Sequence, residues 1–462
     1  MHMSKLSPKY YLIAALLIFT IFNPTTGGDI LAFLAIAVIV LYSLFGDYAL
    51  LALLIIRPTI DYWRDYVVLS YNNFHININA AISLLLLAWS VAFFIKNYQE
   101  FKKVPLKNLW LLFLVWCSVS FFWSFDKVST ITETAKAANL FALFGMTYIL
   151  RARNDHYFDK VFFWSFVGSA VLPLTTAVYQ FFTKSGMTID GTANRIYGTF
   201  AHPNILATFC LMLFIFLFDK YQNYRKHETS LIKFVPNWLK ESKKELYPLA
   251  LIFLTILIAL TYTRIAWIGL AFFIVAIGLY YKRKETITTI IVLTTLYGLF
   301  FPVNIWLIDN FNINLQNNAL VARLTSRNME ADSITWRADL FNKIIPLWTN
   351  RPLIGYGYGS FARVWDDNKG VDNIWDETSE AHNDYLKVGF EAGIIGLVIY
   401  IFIFLSLLYR EIKFGQKHAW TNFVFILSIL VYLILSVSDN MLHHTPMIWW
   451  LWALWGYWSA KV

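Results

Sequence analysis

The stretch Pro248-Leu-Ala-Leu-Ile-Phe-Leu-Thr-Ile-Leu-Ile-Ala-Leu-Thr-Tyr-Thr-Arg264-Ile-Ala-Trp-Ile-Gly-Leu-Ala-Phe-Phe-Ile-Val-Ala-Ile-Gly-Leu-Tyr-Tyr281 is an apolar run of 34 residues interrupted by one charge, Arg264. As a single helix it would measure about 51 Å, against a bilayer hydrocarbon core of about 30 Å. Basic clusters flank both ends, Lys240, Lys243 and Lys244 before it and Lys282, Arg283 and Lys284 after it. Lys and Arg collect on the cytoplasmic side of membrane helices, so both ends belong on that side and the run must fold back. Arg264 then sits at the turn on the outer face. Each arm is only about 25 Å long, which leaves the charge near the outer leaflet, where it is costly unless paired.

The rest of the chain extends this pattern. Of 462 residues 58% are hydrophobic and only 15% charged, and the sequence reads as an all-α polytopic membrane protein. Apolar segments fall near 10–23, 30–45, 48–57, 78–95, 109–125, 136–150, 160–182, 204–219, 247–263, 265–281, 286–303, 386–409, 419–437 and 445–460, giving about 12–14 transmembrane helices. The 48–57 segment is too short for an ordinary span. With the N-terminus in the cytoplasm, the inner loops hold the basic excess and both termini face the cytoplasm. The net charge of +9 is thereby absorbed by orientation, which argues against a nucleic-acid partner. Cys117 and Cys210 lie singly in apolar segments and read as packing residues. The first apolar run lacks a small-x-small cleavage site, so it reads as an uncleaved span.

The chain divides into a bundle at 1–303, an extracytoplasmic loop domain at 304–385 and C-terminal spans at 386–462. Within the loop domain, Trp336, Leu340, Ile344 and Trp348 recur every four residues, the mark of an amphipathic helix over Ser333 to Trp348. The stretch Pro352-Leu-Ile-Gly355-Tyr-Gly357-Tyr-Gly359 is a turn-rich loop rather than a dinucleotide fingerprint, because no strand-helix unit surrounds it.

Polar residues at the outer boundary are the candidates for chemistry. Arg264 is either an interfacial anchor or an anion contact, since a guanidinium keeps its charge and grips phosphate with two parallel bonds. Arg195 lies in Asn194-Arg195-Ile-Tyr-Gly198-Thr-Phe-Ala-His202-Pro203-Asn204, ahead of a span whose N-terminus favours anions. Asn204 and His202 either join it or merely cap the helix and fill the turn. His382 precedes a span beside the acidic run Asp372, Asp376, Glu377 and Glu380, which suits a base titrating near neutrality. Glu391 interrupts an apolar run, with Lys387 at i−4 as its local partner. Asp61 and Asp65 resemble a metal pair, but Arg57 and Arg64 favour local ion pairs. Asp366 and Asp367 read as a solvated face. Trp336, Trp365 and Trp375 suit either sugar stacking or an aromatic belt.

Taken in order, the 195–204 loop, Thr261-Tyr-Thr-Arg264-Ile-Ala-Trp267-Ile-Gly269, Trp336-Arg337, Pro352 to Gly357, and His382-Asn-Asp-Tyr-Leu386 with Glu391-Ala-Gly393-Ile-Ile-Gly396 resemble the O-antigen ligase and Wzy-type polymerase superfamily of bacterial envelope glycan enzymes. The resemblance runs from about residue 100 onward. It implies a GT-C-type glycosyltransferase of the inner membrane, working on the outer face without metal or cofactor. The donor would be an undecaprenyl-diphosphate-linked glycan, and the acceptor lipid A-core or another surface acceptor. A polymerase would instead extend the lipid-linked chain. Arg195 and Arg264 would hold the diphosphate, and His382 would act as base. His202, Asn204, Arg337, Asn383 and Glu391 are the further candidate substrate contacts. A transporter or flippase is the rival class, and it calls for mid-membrane charges and broken helices.

Overall fold

In a computed structural model of the chain, the described residues are 40–63 (without 41 and 44), 66–71, 74–153, 156–189, 193–227, 243–281, 333–368, 380–414 and 419–460. The first two apolar segments lie largely outside these residues. The 286–303 segment, Arg64, Asp65 and the acidic run at 372–377 lie wholly outside them, as do 304–332 and 369–379 of the loop domain.

Helices follow the apolar segments closely. They are α1 (Ala49–Ile60), α2 (Ile78–Lys96), α3 (Lys107–Val119), α4 (Lys127–Ala152), α5 (His156–Thr183), α6 (Pro203–His227), α7 (Lys243–Leu260), α8 (Arg264–Tyr280), α9 (Ser333–Thr349), α10 (Phe361–Asn368), α11 (Asp384–Phe414), α12 (Ala419–Leu435) and α13 (Thr445–Ser459). Among the described residues, four helical stretches are long and apolar enough to cross a membrane, Ile78–Lys96, Tyr157–Thr183, Pro203–Tyr224 and Asp384–Lys413. The chain is a multi-pass membrane protein. Side-chain caps set several starts: the Asn77 carboxamide accepts from Ala80 N at 2.8 Å and opens α2, and Asp126 accepts from Ser129 N at 3.0 Å and opens α4. α4 begins nine residues before its apolar run because its first turns are polar. Two antiparallel hairpins were not anticipated, β1 (Val67–Tyr71) with β2 (Phe74–Asn77) and β3 (Met187–Ile189) with β4 (Ala193–Arg195).

α13 is the central post. Its sequence is apolar all round and every residue of it is buried, as expected of a helix with neighbours on all sides. Its aromatic rings fill the gaps, with Trp450 stacked on Phe166 at 4.5 Å and Tyr457 on Phe162 at 4.5 Å. The outer helices turn bare apolar faces outward, for example Val398, Phe402 and Leu405 on α11, which is what lipid requires.

The 248–281 run folds back as its length demands. α7 ends at Leu260, α8 starts at Arg264, and Thr261, Tyr262 and Thr263 make the turn. α11 is broken at Gly393, where the backbone adopts φ 69° and ψ −178°. The carbonyls freed at the break are taken by the loop before α10 and by α3: Tyr356 N donates to Phe390 O at 3.1 Å, Gly357 N to Glu391 O at 2.8 Å and Trp116 Nε1 to Ala392 O at 2.8 Å. A side chain at Gly393 would strike the Leu353 carbonyl, so the close approach requires glycine there.

α9 and α10 pack over this break. Leu340, Ile344, Phe361, Val364, Trp365 and Phe390 form a second apolar cluster, which accounts for the four-residue spacing in α9. Trp365 is 2% exposed and stacks on Phe361, so it belongs to this core and is not open to a sugar. The Trp336 side chain and Trp375 lie outside the description. Asp366 and Asp367 are exposed, and Asp367 pairs with Arg363 at 3.3 Å. Cys117 and Cys210 are buried free thiols.

Candidate active site

Pieces of chain far apart in sequence converge on the carboxylate of Asp439, in the connection between α12 and α13. Asn204 Nδ2 donates to its Oδ2 at 2.8 Å, His444 Nε2 lies 3.2 Å from Oδ1, and His382 Nδ1 lies 3.9 Å from the same oxygen. Asp439 is 3% exposed. Burial alone would raise its pKa, but His444 and His382 outweigh that and hold it well below the usual carboxylate value. In return the carboxylate raises His444 above the ordinary imidazole value, against the effect of burial.

Asn204 links this carboxylate to Arg195. Its Oδ1 accepts from Arg195 Nη2 at 3.1 Å and from the Thr263 hydroxyl at 3.2 Å. Arg195 closes β4, is 4% exposed, and also donates from Nε to Thr261 O at 2.7 Å and from Nη2 to Thr263 Oγ1 at 3.2 Å. It is therefore fixed to the turn of the 248–281 hairpin. Arg264 is the next residue beyond that turn, half-buried at the start of α8. A cation there opposes the positive end of the helix dipole, so its position is not explained by helix stability. Tyr262, in the turn, has φ 53°, and His382 has φ 50°. Such left-handed backbone is costly for non-glycine residues and persists only where surrounding contacts impose it.

His382 is held from both sides. Asn383 follows it and caps α11, its Oδ1 accepting from Leu386 N at 2.9 Å, while its own N–H donates to Asn440 Oδ1 at 3.0 Å and its Nδ2 to Val437 O at 2.9 Å. Asp384 accepts from Leu442 N at 3.2 Å. Glu380 accepts from Asn440 Nδ2 at 2.6 Å and pairs with Lys387 at 2.6 Å and His443 at 3.1 Å. Burial would raise the Glu380 pKa, yet Lys387 and His443 bring it below the usual value.

The structure thus brings together Arg195, His202, Asn204, His382 and Asn383, with Arg264 on the adjoining turn. Asn383 spends its side-chain groups on the cap and on the α12–α13 connection. Arg337 is half-buried on α9. Glu391 stands at the break in α11, 1% exposed, where its Oε1 accepts from Phe361 N at 3.2 Å, so it braces the loop before α10. Lys387, its expected local partner, turns to Glu380 instead. Asp61 pairs with Arg57 at 3.6 Å and accepts from Ala201 N at 3.0 Å, supporting the turn that carries His202.

Sequence reasoning missed Asp439, Asn440, His443 and His444. The signal was present: two acid-amide positions and two histidines in one short connection, on the same side as His382 in the inside-outside alternation.

A family model described as O-antigen ligase matches residues 249–401. Over those residues the chain is similar to the O-antigen ligase family. No curated protein matches it. The O-antigen ligase match takes in the hairpin with Arg264, then Arg337, His382, Asn383 and Glu391. Arg195, His202, Asn204 and Asp439 lie outside it and join through the contacts described above. The similarity over these residues supports assignment to the O-antigen ligase and polymerase family.

Proposed function

We propose that the chain is a metal-independent, inverting glycosyltransferase that moves a glycan from an undecaprenyl-diphosphate carrier to an acceptor hydroxyl, on lipid A-core or another surface acceptor, at the outer face of the inner membrane. The observation that carries this is the bonding of the buried Arg195 guanidinium to the turn that ends in Arg264. Two fixed cations on one membrane face suit a diphosphate leaving group, whose developing charge must be met by groups already in place. The acceptor oxygen attacks the anomeric carbon as the bond from that carbon to the diphosphate oxygen breaks, and a single displacement inverts the centre. The hydroxyl proton passes to His382, and the buried carboxylate of Asp439 balances the resulting imidazolium. Placement on the outer face rests on the distribution of basic residues.

The rival transport reading would draw on the break at Gly393. Its carbonyls at Phe390, Glu391 and Ala392 are occupied by main-chain and indole donors, which disfavours an ion or substrate site there. The test is incubation of purified protein with lipid-linked glycan and candidate acceptors. Arg264→Ala and His382→Ala should abolish transfer while the protein still inserts and accumulates, and wild-type transfer by both would refute the assignment. A product ladder would identify a polymerase, whereas a single addition to lipid A-core would identify a ligase. Loss of transfer with chelator would refute metal independence.

A further inference from the structure

His202 has one ring nitrogen engaged and the other open. Its Nδ1 accepts the backbone amide of Asn204 at 3.2 Å. A nitrogen that accepts from an amide presents a lone pair, so the ring proton sits on Nε2. The ring is half-buried, and among the described residues Nε2 meets no hydrogen-bond partner. The charged and titratable groups that face it are Arg195 on β4, Asp439 and His444 in the α12–α13 connection, and His382 ahead of α11. Burial, and then Arg195, bring its pKa down to about 3, although Asp439 acts in the other direction. The ring is therefore neutral throughout the working pH range.

We propose that His202 is a fixed neutral hydrogen-bond donor that presents Nε2–H to a phosphate oxygen of the donor's diphosphate, beside Arg195. The inference rests on the carrier reading given above and adds the protonation state and the donating atom. A neutral imidazole in this position donates a hydrogen bond without surrendering its proton, so the diphosphate departs as an anion and proton transfer stays with His382. Arg195 makes an anion the fitting partner, because it keeps the neighbouring potential positive while its own Nε and Nη2 brace the 261–263 turn.

The test uses full-length protein in detergent, with its histidines labelled with 15N, and farnesyl diphosphate as the probe. His202→Gln assigns the signal and retains a donor near the position of Nε2, whereas His202→Ala removes it. The His202 ring should hold the Nε2–H tautomer from pH 5 to 8, and its Nε2–H resonance should move on saturation with farnesyl diphosphate. Binding should weaken roughly tenfold or more in His202→Ala and stay within a few-fold in His202→Gln. A ring that titrates near neutrality, a proton on Nδ1, or equal binding by wild type and His202→Ala would overturn the donor role alone. Failure of wild type to bind the isoprenyl diphosphate would overturn the carrier reading, and the donor role with it.

Discussion

Replacing Arg195 with lysine keeps the charge and removes the fork, which makes it a sharp test of how the site is held. The guanidinium makes three hydrogen bonds from two nitrogens, to Thr261 O, Asn204 Oδ1 and Thr263 Oγ1. A lysine ammonium on a flexible stem can replace one of them. Hydrogen bonds from a charged donor contribute about 1.5–3 kcal/mol each, so two losses come to about 3–6 kcal/mol. Asn204 Oδ1 keeps the Thr263 hydroxyl, which places the expected value near the lower end. If about 3 kcal/mol is lost from the aligned site, transfer falls on the order of 100-fold. The same change should lower the midpoint of thermal aggregation in detergent, because the 261–263 turn loses its tie to β4. Thr263→Val, which removes only the hydroxyl, should give a smaller loss, and the double variant should be less than additive because the two residues share Asn204. The assay pairs transfer of lipid-linked glycan, read on a gel, with the amount of monodisperse protein remaining after heating. Wild-type transfer and thermal midpoint in Arg195→Lys would refute the claim that the forked geometry, rather than the charge, organises the site.

Two further outcomes follow from the same geometry. Gly393→Ala should sharply reduce the yield of folded protein, since it combines left-handed backbone with a collision against the Leu353 carbonyl; normal accumulation and melting would mean the break in α11 tolerates a side chain. The Asp439–His444 pair should also give stability a pH dependence. The depressed Asp439 contributes stability above about pH 4 that is lost as pH falls through its folded value, and the raised His444 contributes stability below about pH 6.5 that is lost as pH rises through its folded value. Thermal stability should therefore decline on the alkaline side of pH 6.5, and Asp439→Asn should flatten that decline; an unchanged profile in the variant would place the dependence elsewhere.

Much of this fold was legible because membrane thickness is a ruler. The 248–281 run could not be one helix, and the position of its turn placed Arg264 at a tip. Apolar length likewise located α2, α5 and α12 to within a few residues. The break in α11 was not legible, because the apolar pattern continues through Gly393 and only the incoming loop before α10 makes use of it. β3 and β4 have three residues each, too few to display an alternation. In the site, isolated charges within apolar sequence were conspicuous, so Arg195, Arg264 and His382 stood out. Asp439 and His444 sit in a short connection where single polar residues are ordinary, so their clustering there was easily passed over until their convergence on Asn204 and His382 was seen. Trp365 illustrates the opposite error, since an aromatic residue in a loop domain reads as a sugar platform or an aromatic belt, and its burial in the second apolar cluster has no sign in the sequence.

The region before α11 therefore has a mechanical part to play as well as a chemical one. His382 occupies a backbone conformation that costs on the order of 1–3 kcal/mol, and that cost is offset on both of its flanks. Toward the α12–α13 connection, Asn383 and Asp384 exchange hydrogen bonds with Ser436, Val437, Asn440 and Leu442. At its other end, the short helical piece from Asp384 to Ala392 stops at the break, where Tyr356, Gly357 and Trp116 donate to its free carbonyls. A continuous helix would have left the direction of this piece tied to the lipid-facing remainder of α11. Breaking it at Gly393 lets α9, α10 and the intervening glycine loop set the direction instead. α9, α10 and the candidate base are thus joined in one packed unit, and a change at the break should act on transfer through the position of His382, without any contact to substrate.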